Sequence, residues 1–348
     1  MADIFTLRET YRSLGHDEFI RLFTEKINSG ELDILKSRRI NLKYLEESIG
    51  YKAFSTLTGT QIEYKIVKAY KETPAPLKRI FESVDSSAEQ ETWTEVPAAM
   101  LPKKIEAGNV ADKIQLTDTK GNIVNLKYGR RVVIEEEVVM YDKKAHIVKV
   151  ATELGKGMRY FEEMMRTKVL IDANSNSYLG SAVWDASNYA AGANTAFSVN
   201  SLKTFEQLML DQYQPSHESD SIPAMLFPRF IIYPHTIKAD VITVLKSQNL
   251  PQTTEEGANW VKDLNLVPVM TQWLKAVDST SGSTAWYLAA PIMENGLVEQ
   301  VVMPMRTTKI VGTNELRIKH QYLDMDVTII KGFGCTNNRG LTKAKGTA

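Results

Sequence analysis

The amino-acid sequence predicts a mixed α+β protein, and three stretches of the chain carry this prediction. An amphipathic stretch in the middle predicts one long helix over residues 142–171. The β-branched run RRVVIEEEVV, just before that helix, predicts a strand. The closing run LRIKHQYLDMDVTIIKGFG, residues 316–334, is long and apolar enough for two central strands or one bent strand.

Length and composition narrow the class of protein. The 348 residues suffice for a large core and roughly two domains. With 42 basic and 42 acidic residues, net charge does not indicate a nucleic-acid or membrane partner. A single cysteine, Cys335, excludes an intrachain disulfide framework and a four-cysteine zinc site. No apolar run approaches the ~20 residues of a membrane helix, so we expect a soluble intracellular protein without a membrane partner.

The sequence of the first 130 residues predicts an N-terminal arm followed by strands. Residues 1–58 resemble short charged helices with few core positions, which predicts a surface-lying arm. The segment TQIEYKIVKAY, residues 60–70, alternates like a strand. Further on, TDTKGN predicts a hairpin turn in which Gly121 and Asn122 take positive φ. This hairpin has little apolar content, so we expect it to need a partner surface.

The long helix has one apolar stripe and two glycines. Asp142 is its predicted N-cap. Gly155 and Gly157 would each cost about 1 kcal/mol in a helix interior. Their presence indicates close packing or a bend. The stripe comprises Ile147, Ala151, Leu154, Met158, Phe161 and Met165.

The remaining chain predicts a second helix, a short buried strand, a third helix and a basic tail. The second helix, SLKTFEQLMLDQY, would turn Tyr213 and three other side chains inward: Leu202, Phe205 and Met209. The strand lies in PAMLFPRFIIYP, and HTIKADVITVLKSQ forms the third helix, begun by His235. The tail, CTNNRGLTKAKGTA, is expected to be mobile.

No catalytic, cofactor-binding or metal-binding set emerges from the sequence. ELGKGM lies mid-helix and lacks the spacing of a phosphate loop. The five histidines form no ligand pair. Asp324 and Asp326 share a strand face and could do acid-base or metal chemistry, but we favour a solvated face. Cys335 is best explained as a small buried residue.

The acidic run IEEEVV is the most informative charged feature. On a strand, Glu135 and Glu137 would point one way and Glu136 the other. Basic residues lie just upstream: Lys120, Lys127, Arg130 and Arg131. One interpretation is an edge strand protected from aggregation by its charge. The other is charge complementarity across a subunit contact.

The order of these elements resembles the major capsid protein of tailed bacteriophages, the Hong Kong-type shell fold. The local matches are YGRRVVIEEEVVMYD, FPRFIIYPHTIKADVITVLKS and KHQYLDMDVTIIKGFGCTNNRG. The first is similar to the strand entering that family's spine helix. The second is similar to the passage into its axial domain, and the third to its closing strands. The resemblance covers roughly residues 60–340.

The resemblance implies an α+β phage major capsid fold with an N-terminal arm, an extended β-hairpin loop, a peripheral domain with the spine helix, and an axial domain. In order along the chain, the implied regions are the arm 1–58, the peripheral strand region 59–82, the hairpin loop 83–129, the peripheral domain 130–217, the axial domain 218–312, and the closing strands with the tail 313–348. The implied subunit-interface residues are Lys113, Lys120, Gly121, Asn122, Arg130, Arg131, Glu135, Glu136 and Glu137. The implied bend of the spine helix lies at Gly155 and Gly157.

By this resemblance, the chain would be a structural protein and not an enzyme. It would self-assemble through hexamers and pentamers into the icosahedral head of a tailed double-stranded DNA bacteriophage. Assembly would occur in the host cytoplasm, with portal and scaffold or decoration proteins as partners. DNA contact would be non-specific, with Lys156, Arg159 and Arg166 as candidates. The methionine at position 1 favours an uncleaved chain.

Three other classes of protein stay open at this level. An encapsulin-like bacterial compartment would keep the fold and enclose a cargo enzyme. An α/β enzyme with an unrecognised site would be a stable monomer with a ligand pocket. A tail-tube or sheath protein is a weaker alternative.

Overall fold

The computed structural model describes residues 10, 14, 16–31, 51–95, 119–135, 137–138, 144–172, 183–190, 192, 195–214, 222–249, 259–311 and 321–347. Its α-helices are α1 His16–Asn28, α2 Tyr51–Glu72, α3 Lys144–Ile171, α4 Val199–Leu210, α5 Lys238–Lys246 and α6 Trp273–Val277. Its strands are β1 Glu82–Asp85, β2 Gln90–Glu95, β3 Thr119–Val124, β4 Leu126–Glu135, β5 Tyr189–Ala190, β6 Phe230–Tyr233, β7 Val267–Met270, β8 Trp286–Ala289, β9 Leu297–Val311, β10 Gln321–Cys335 and β11 Leu341–Ala344.

The chain divides into two compact units. The helix α3 and the strands β9 and β10 contribute residues to both. The helical unit comprises Met1–Pro74, Lys127–Phe161 and Met303–Ile330. The sheet unit comprises Ala75–Leu126, Glu162–Val302 and Lys331–Ala348.

The core of the helical unit begins with α1. Phe19, Phe23 and Ile27 recur every four residues, so they share one face of the helix, and all three are buried. They pack in one cluster with Leu57 and Ile66 of α2. The expectation that the N-terminal arm has few core positions is therefore wrong for residues 16–28.

The segment of residues 60–70 is helical, and the predicted strand there is wrong. Ile62, Ile66 and Ala69 are buried at steps of four and three within α2. Ile62, Tyr64 and Ile66 also fit an alternating pattern over this short window, so periodicity alone could not separate the two structures. Packing of α2 against α1 and α3 decides the outcome.

The long helix α3 matches the predicted helix at its C-terminal end, Ile171. The predicted N-cap, Asp142, lies outside the described residues. Gly155 confirms the close-packing interpretation, because an added Cβ would lie 2.3 Å from the carbonyl oxygen of Ile66 and 3.0 Å from the Cβ of Ala69. Gly157 is different, since an added Cβ there would meet nothing within 4 Å.

A four-stranded sheet has the order β1-β9-β10-β4. The closing run forms one continuous strand, β10, which is the single-strand alternative predicted from the sequence. In the helical unit, Arg131 of β4 donates two hydrogen bonds to Asp324 of β10, one of them 2.7 Å from Nε to Oδ1. Asp324 is buried, so the prediction of a solvated aspartate face is wrong for this residue.

The sheet unit is built on a five-stranded sheet with the order β5-β11-β8-β6-β7. The strand β11 is fully buried and pairs antiparallel with β8 and parallel with β5. The predicted mobile tail is therefore wrong for these residues. The segment belongs to the sheet because Leu341 and Ala344 bury against its two hydrophobic clusters.

Other elements of the sheet unit follow the sequence closely. The helix α4 starts at a capping box of Ser198 and Ser201 and buries Leu202, Phe205 and Met209. Tyr213 lies beyond the helix and is 55% exposed, so its predicted inward position is wrong. The predicted buried strand is β6, and the predicted third helix is α5, preceded by a 3-10 turn that begins at His235.

The predicted turn at residues 117–122 is wrong within the described part of the chain. Gly121 lies within β3 opposite Trp93 of β2, and Asn122 lies opposite Thr92. Neither Gly121 nor Asn122 has positive φ. The two strands of this hairpin are thus residues 90–95 and 119–124.

Candidate subunit interface and buried charge cluster

A groove with a volume of about 820 Å³ runs between β4 and α3 in the helical unit. Apolar side chains form much of its lining, among them Met158 and Phe161 of α3. The ring of Phe161 packs 4.5 Å from that of Tyr128, centroid to centroid. Burial raises the pKa of the Tyr128 hydroxyl. The full lining comprises Lys127, Tyr128, Gly129, Arg130, Arg131, Val132, His146, Lys149, Val150, Glu153, Leu154, Gly157, Met158 and Phe161.

The rim of this groove is basic. Four permanently charged cations line it, and Glu153 is the one carboxylate among the lining residues. Glu153 already pairs with Lys156 at 3.1 Å. Arg131 is balanced by Asp324 of its own chain, so the excess positive charge comes from the other three cations and favours an occupant that combines acidic and apolar groups. The four cations are Lys127, Arg130, Arg131 and Lys149.

Two of the predicted interface residues, Arg130 and Arg131, lie together on this rim. Arg131 also pairs with Asp324 inside its own chain, and its side chain stays 64% exposed. Hydrogen bonding to Asp324 raises the pKa of Arg131. This ion pair fixes the rim to β10 and leaves the outer side of the guanidinium accessible.

The acidic run does not continue the strand as predicted. The strand β4 ends at the exposed Glu135, and Glu137 is helical and exposed. The alternation of Glu135 and Glu137 on one strand face is therefore wrong. Glu136 and Lys113 lie outside the described residues.

The hairpin is anchored at its base by Asn125. This buried residue donates from Nδ2 to Ser86 Oγ at 2.9 Å and to the Ala88 carbonyl at 2.8 Å. Its backbone N–H donates to the Glu89 carbonyl at 2.8 Å. Beside this anchor, Val124 and Leu126 remain 45% and 50% exposed. The hairpin base is thus rigid and presents apolar side chains to solvent.

Five charged side chains meet in the interior of the sheet unit. Arg166 of α3 donates to Glu163 at 2.6 Å and to Glu299 of β9 at 2.6 Å. Lys331 of β10 donates to Glu162 at 2.6 Å and to Glu299 at 2.5 Å. Glu163 also accepts the backbone N–H of Leu77 at 3.1 Å. We call these five side chains the buried charge cluster.

Three carboxylates and two cations give the buried charge cluster a formal charge of −1. Burial alone would lower the pKa of Arg166, but the charges of Glu299, Glu163 and Glu162 outweigh burial and raise it. Arg166 is 0% exposed, so the prediction that it contacts DNA is wrong. An ion cluster this deep fixes the position of α3 against β9 and β10 rather than meeting a ligand.

The sequence contained a signal for this cluster. Glu299 and Lys331 each interrupt an apolar strand run, LVEQVVM and TIIKGFG. A lone charge at such a position indicates a buried partner of opposite sign. Residues of α3 on the groove rim, such as Lys149, had no comparable signal, because a basic side chain on an amphipathic helix is ordinary.

No set of metal ligands occurs among the described residues. Within the same part of the chain, no helix combines the length and the apolar character needed to cross a bilayer.

The comparisons with known proteins agree with this fold. A family model for phage capsid protein matches residues 124–344, well over half of the chain. The capsid structure of cyanophage P-SCSP1u has a TM-score of 0.52 at 9% identity, covering 78% of this chain and 88% of that one. A structure from Mycobacterium phage Adephagia gives 0.51 at 11% identity, covering 78% and 90%. An encapsulin complex from Synechococcus elongatus gives 0.50 at 10%, covering 79% and 88%. No curated protein sequence matches the chain.

The fold is therefore one that this chain shares with a cyanophage capsid structure and with an encapsulin complex. The family match separates these two, and the chain belongs to the phage capsid protein family. The predicted resemblance to phage major capsid proteins and the predicted α+β capsid fold are confirmed. The chain is a structural protein that associates with copies of itself in the capsid of a virion.

Proposed function

We propose that this protein builds the icosahedral head of a tailed double-stranded DNA bacteriophage, as hexamers and pentamers, and has no catalytic activity. The basic, apolar groove between β4 and α3 carries the proposal. It offers an extended surface on each copy for a segment of the next copy. A self-complementary pair of surfaces on one chain is what a shell of identical subunits requires.

The hairpin has the composition to occupy the groove of a neighbouring copy. Its first strand has Glu91 and Glu95, follows Glu89, and includes Trp93. Acidic groups fit the basic rim, and apolar groups fit the floor. Such trans packing would supply the burial that the hairpin lacks in its own chain. The exposed Glu135 and Glu137, together with Lys120, Gly121 and Asn122, stay candidates for the same contact.

Shell formation is tested with the full chain expressed in bacteria, by sedimentation and negative-stain microscopy. We expect closed shells or capsomer rings. A single stable monomer over a wide concentration range, together with a retained small ligand, would contradict the proposal and favour the enzyme alternative.

The groove contact is tested by charge reversal. We expect the double variant Arg130→Glu/Lys149→Glu to lower the assembled fraction at least tenfold. The matched control is Lys203→Glu, an exposed lysine of α4 in the other unit. Equal assembly of both variants would rule out the groove as a subunit contact.

The enclosed content is proposed to be double-stranded DNA, bound without sequence preference. Lys156 remains a candidate contact, whereas Arg159 already stacks on Tyr70, 5.2 Å from its centroid. Portal and scaffold or decoration proteins are proposed partners, with assembly in the host cytoplasm. Particles from infected cells should protect double-stranded DNA from nuclease, and a protein cargo instead would support the compartment alternative.

The proposed bend of α3 is best placed at Gly157. Its open side allows the helix to curve without a collision, whereas Gly155 is held against α2. Finding α3 equally straight in immature and expanded particles would exclude this hypothesis.

A further inference from the structure

Five exposed apolar side chains lie in chain segments that adjoin one end of the five-stranded sheet. Its members are Tyr213, Met225, Phe227, Ile292 and Met293, which we call the end patch. Their exposed fractions are 55%, 75%, 64%, 40% and 76%, respectively. Exposed large apolar side chains in such a concentration mark an interaction surface.

Backbone pairing places these segments side by side. The strands β6 and β8 are antiparallel with Phe230 opposite Ala289, and the N–H of Arg229 donates to the Ala289 carbonyl at 2.8 Å. The residues before β6 and after β8 therefore leave the sheet at the same end. Tyr213 joins them because it forms a β-bridge with Pro223.

Two methionines of the end patch hold a backbone conformation that non-glycine residues rarely adopt. Met225 has φ 54° and Met293 has φ 78°. This left-handed conformation is unfavourable for a side chain with a Cβ. Both side chains are about three-quarters exposed, so burial within the chain does not offset the strain. Contact with another molecule would offset it.

Two charges of opposite sign lie in the chain segments that carry the end patch. Arg229 and Glu294 are both exposed, and neither forms an ion pair among the described residues. Arg229 makes one long hydrogen bond, 3.4 Å, to the Asn265 carbonyl. A partner surface with charges of only one sign would match only one of these two residues. A second copy of the chain offers both signs.

We propose that the end patch is a contact between copies of this chain, in which apolar side chains pack together and Arg229 of one copy faces Glu294 of the next. The inference deepens the proposed function, since it names a second surface through which the shell assembles. Methionine suits such a contact, because its flexible side chain adapts to neighbours at slightly different spacings.

The apolar part is tested with the double variant Met225→Asn/Met293→Asn in the full chain. Asparagine tolerates positive φ, so we expect the thermal midpoint of the unassembled chain to stay the same or rise. The assembled fraction, measured by sedimentation, should fall at least tenfold. The control is Ile242→Gln, which removes a 37% exposed apolar side chain from α5 and should assemble normally. Normal assembly of the double variant would overturn the proposal.

The charged part is tested by exchanging the two charges between positions 229 and 294. This test does not depend on the asparagine variant, so it still applies if that variant folds poorly. Arg229→Glu alone and Glu294→Arg alone should each reduce assembly, and the combined exchange should restore it. Failure of the exchange to restore assembly would overturn the pairing. If the unmodified chain forms no particles, the proposed function fails instead, so the two failures are distinguishable.

Discussion

At Gly155, the absence of a side chain lets the backbones of α2 and α3 approach closely. We expect Gly155→Ala to lower the free energy of unfolding by about 1–3 kcal/mol, because the new methyl group would collide with the Ile66 carbonyl. The matched control is Gly157→Ala, which should raise stability by about 1 kcal/mol through helix propensity alone. Denaturant unfolding of the unassembled chain measures both, and equal effects would contradict the packing role of Gly155.

In the buried charge cluster, the loss of one cation leaves its carboxylates without a partner in the interior. We expect Arg166→Met to cost about 3–5 kcal/mol of unfolding free energy. Lys156→Met removes an exposed partner of Glu153 on the same helix and should change stability by less than about 1 kcal/mol. If both variants lose a similar amount of unfolding free energy, burial does not determine how much the buried charge cluster contributes to stability.

At the scale of single residues, burial could be predicted from the sequence at some positions and not at others. The spacing of Leu202, Phe205 and Met209 correctly predicted a buried helix face, because all three apolar residues recur at the helical period. The sequence makes Arg166 a candidate DNA contact, because local sequence does not show which face of the helix is buried. Its partner on β9, Glu299, lies 133 residues away along the chain, and only the folded structure brings the two together.

At the level of elements, the long helix α3 and the long strand β10 were predicted well, whereas the short segment of residues 60–70 was not. The helix α3 and the strand β10 each extend over enough residues for one period to dominate. Residues 60–70 fit both the period of a strand and the period of a helix, and packing against α1 and α3 favours the helix. The hairpin pairs strands that lie more than 20 residues apart, so the local turn chemistry of Gly121 and Asn122 was a poor guide to its register. Burial of β11 depends on β8, which local composition could not show.

The ion pair between α2 and β9 predicts a pH effect. Burial would raise the pKa of Glu63, but hydrogen bonds from Lys309 and Thr307 and the charge of Lys309 lower it below its ordinary value of 4.5. A lowered folded-state pKa contributes stability above the unfolded pKa, and this contribution is lost as pH falls through the folded pKa. Glu63→Gln should therefore be less stable at pH 7 and lose less stability on acidification. Parallel stability profiles of the two proteins below pH 4.5 would contradict this.

At the scale of the whole molecule, two kinds of contact are proposed, and salt should separate them. Raising ionic strength from about 0.01 M to about 1 M shortens the Debye length from ~30 Å to ~3 Å. We expect the groove contact to weaken with salt, because it joins a basic rim to the acidic strand β2. The Arg130→Glu/Lys149→Glu variant should lose much of the salt dependence of assembly measured by light scattering. The Met225→Asn/Met293→Asn variant should retain it, and identical slopes in both would argue against two distinct contacts.

The single cysteine of the chain has a practical consequence for chemical labelling. Cys335 is buried, lies 2.7 Å from the Asn337 carbonyl oxygen, and has its pKa raised to about 12 by burial. A thiol held in this way stays protonated and shielded at neutral pH, so maleimide probes should leave it untouched in the folded chain. Any cysteine introduced on the groove rim or the end patch would then be the one reactive thiol per copy. Fluorescent reporters of assembly could be attached there without first replacing a native residue.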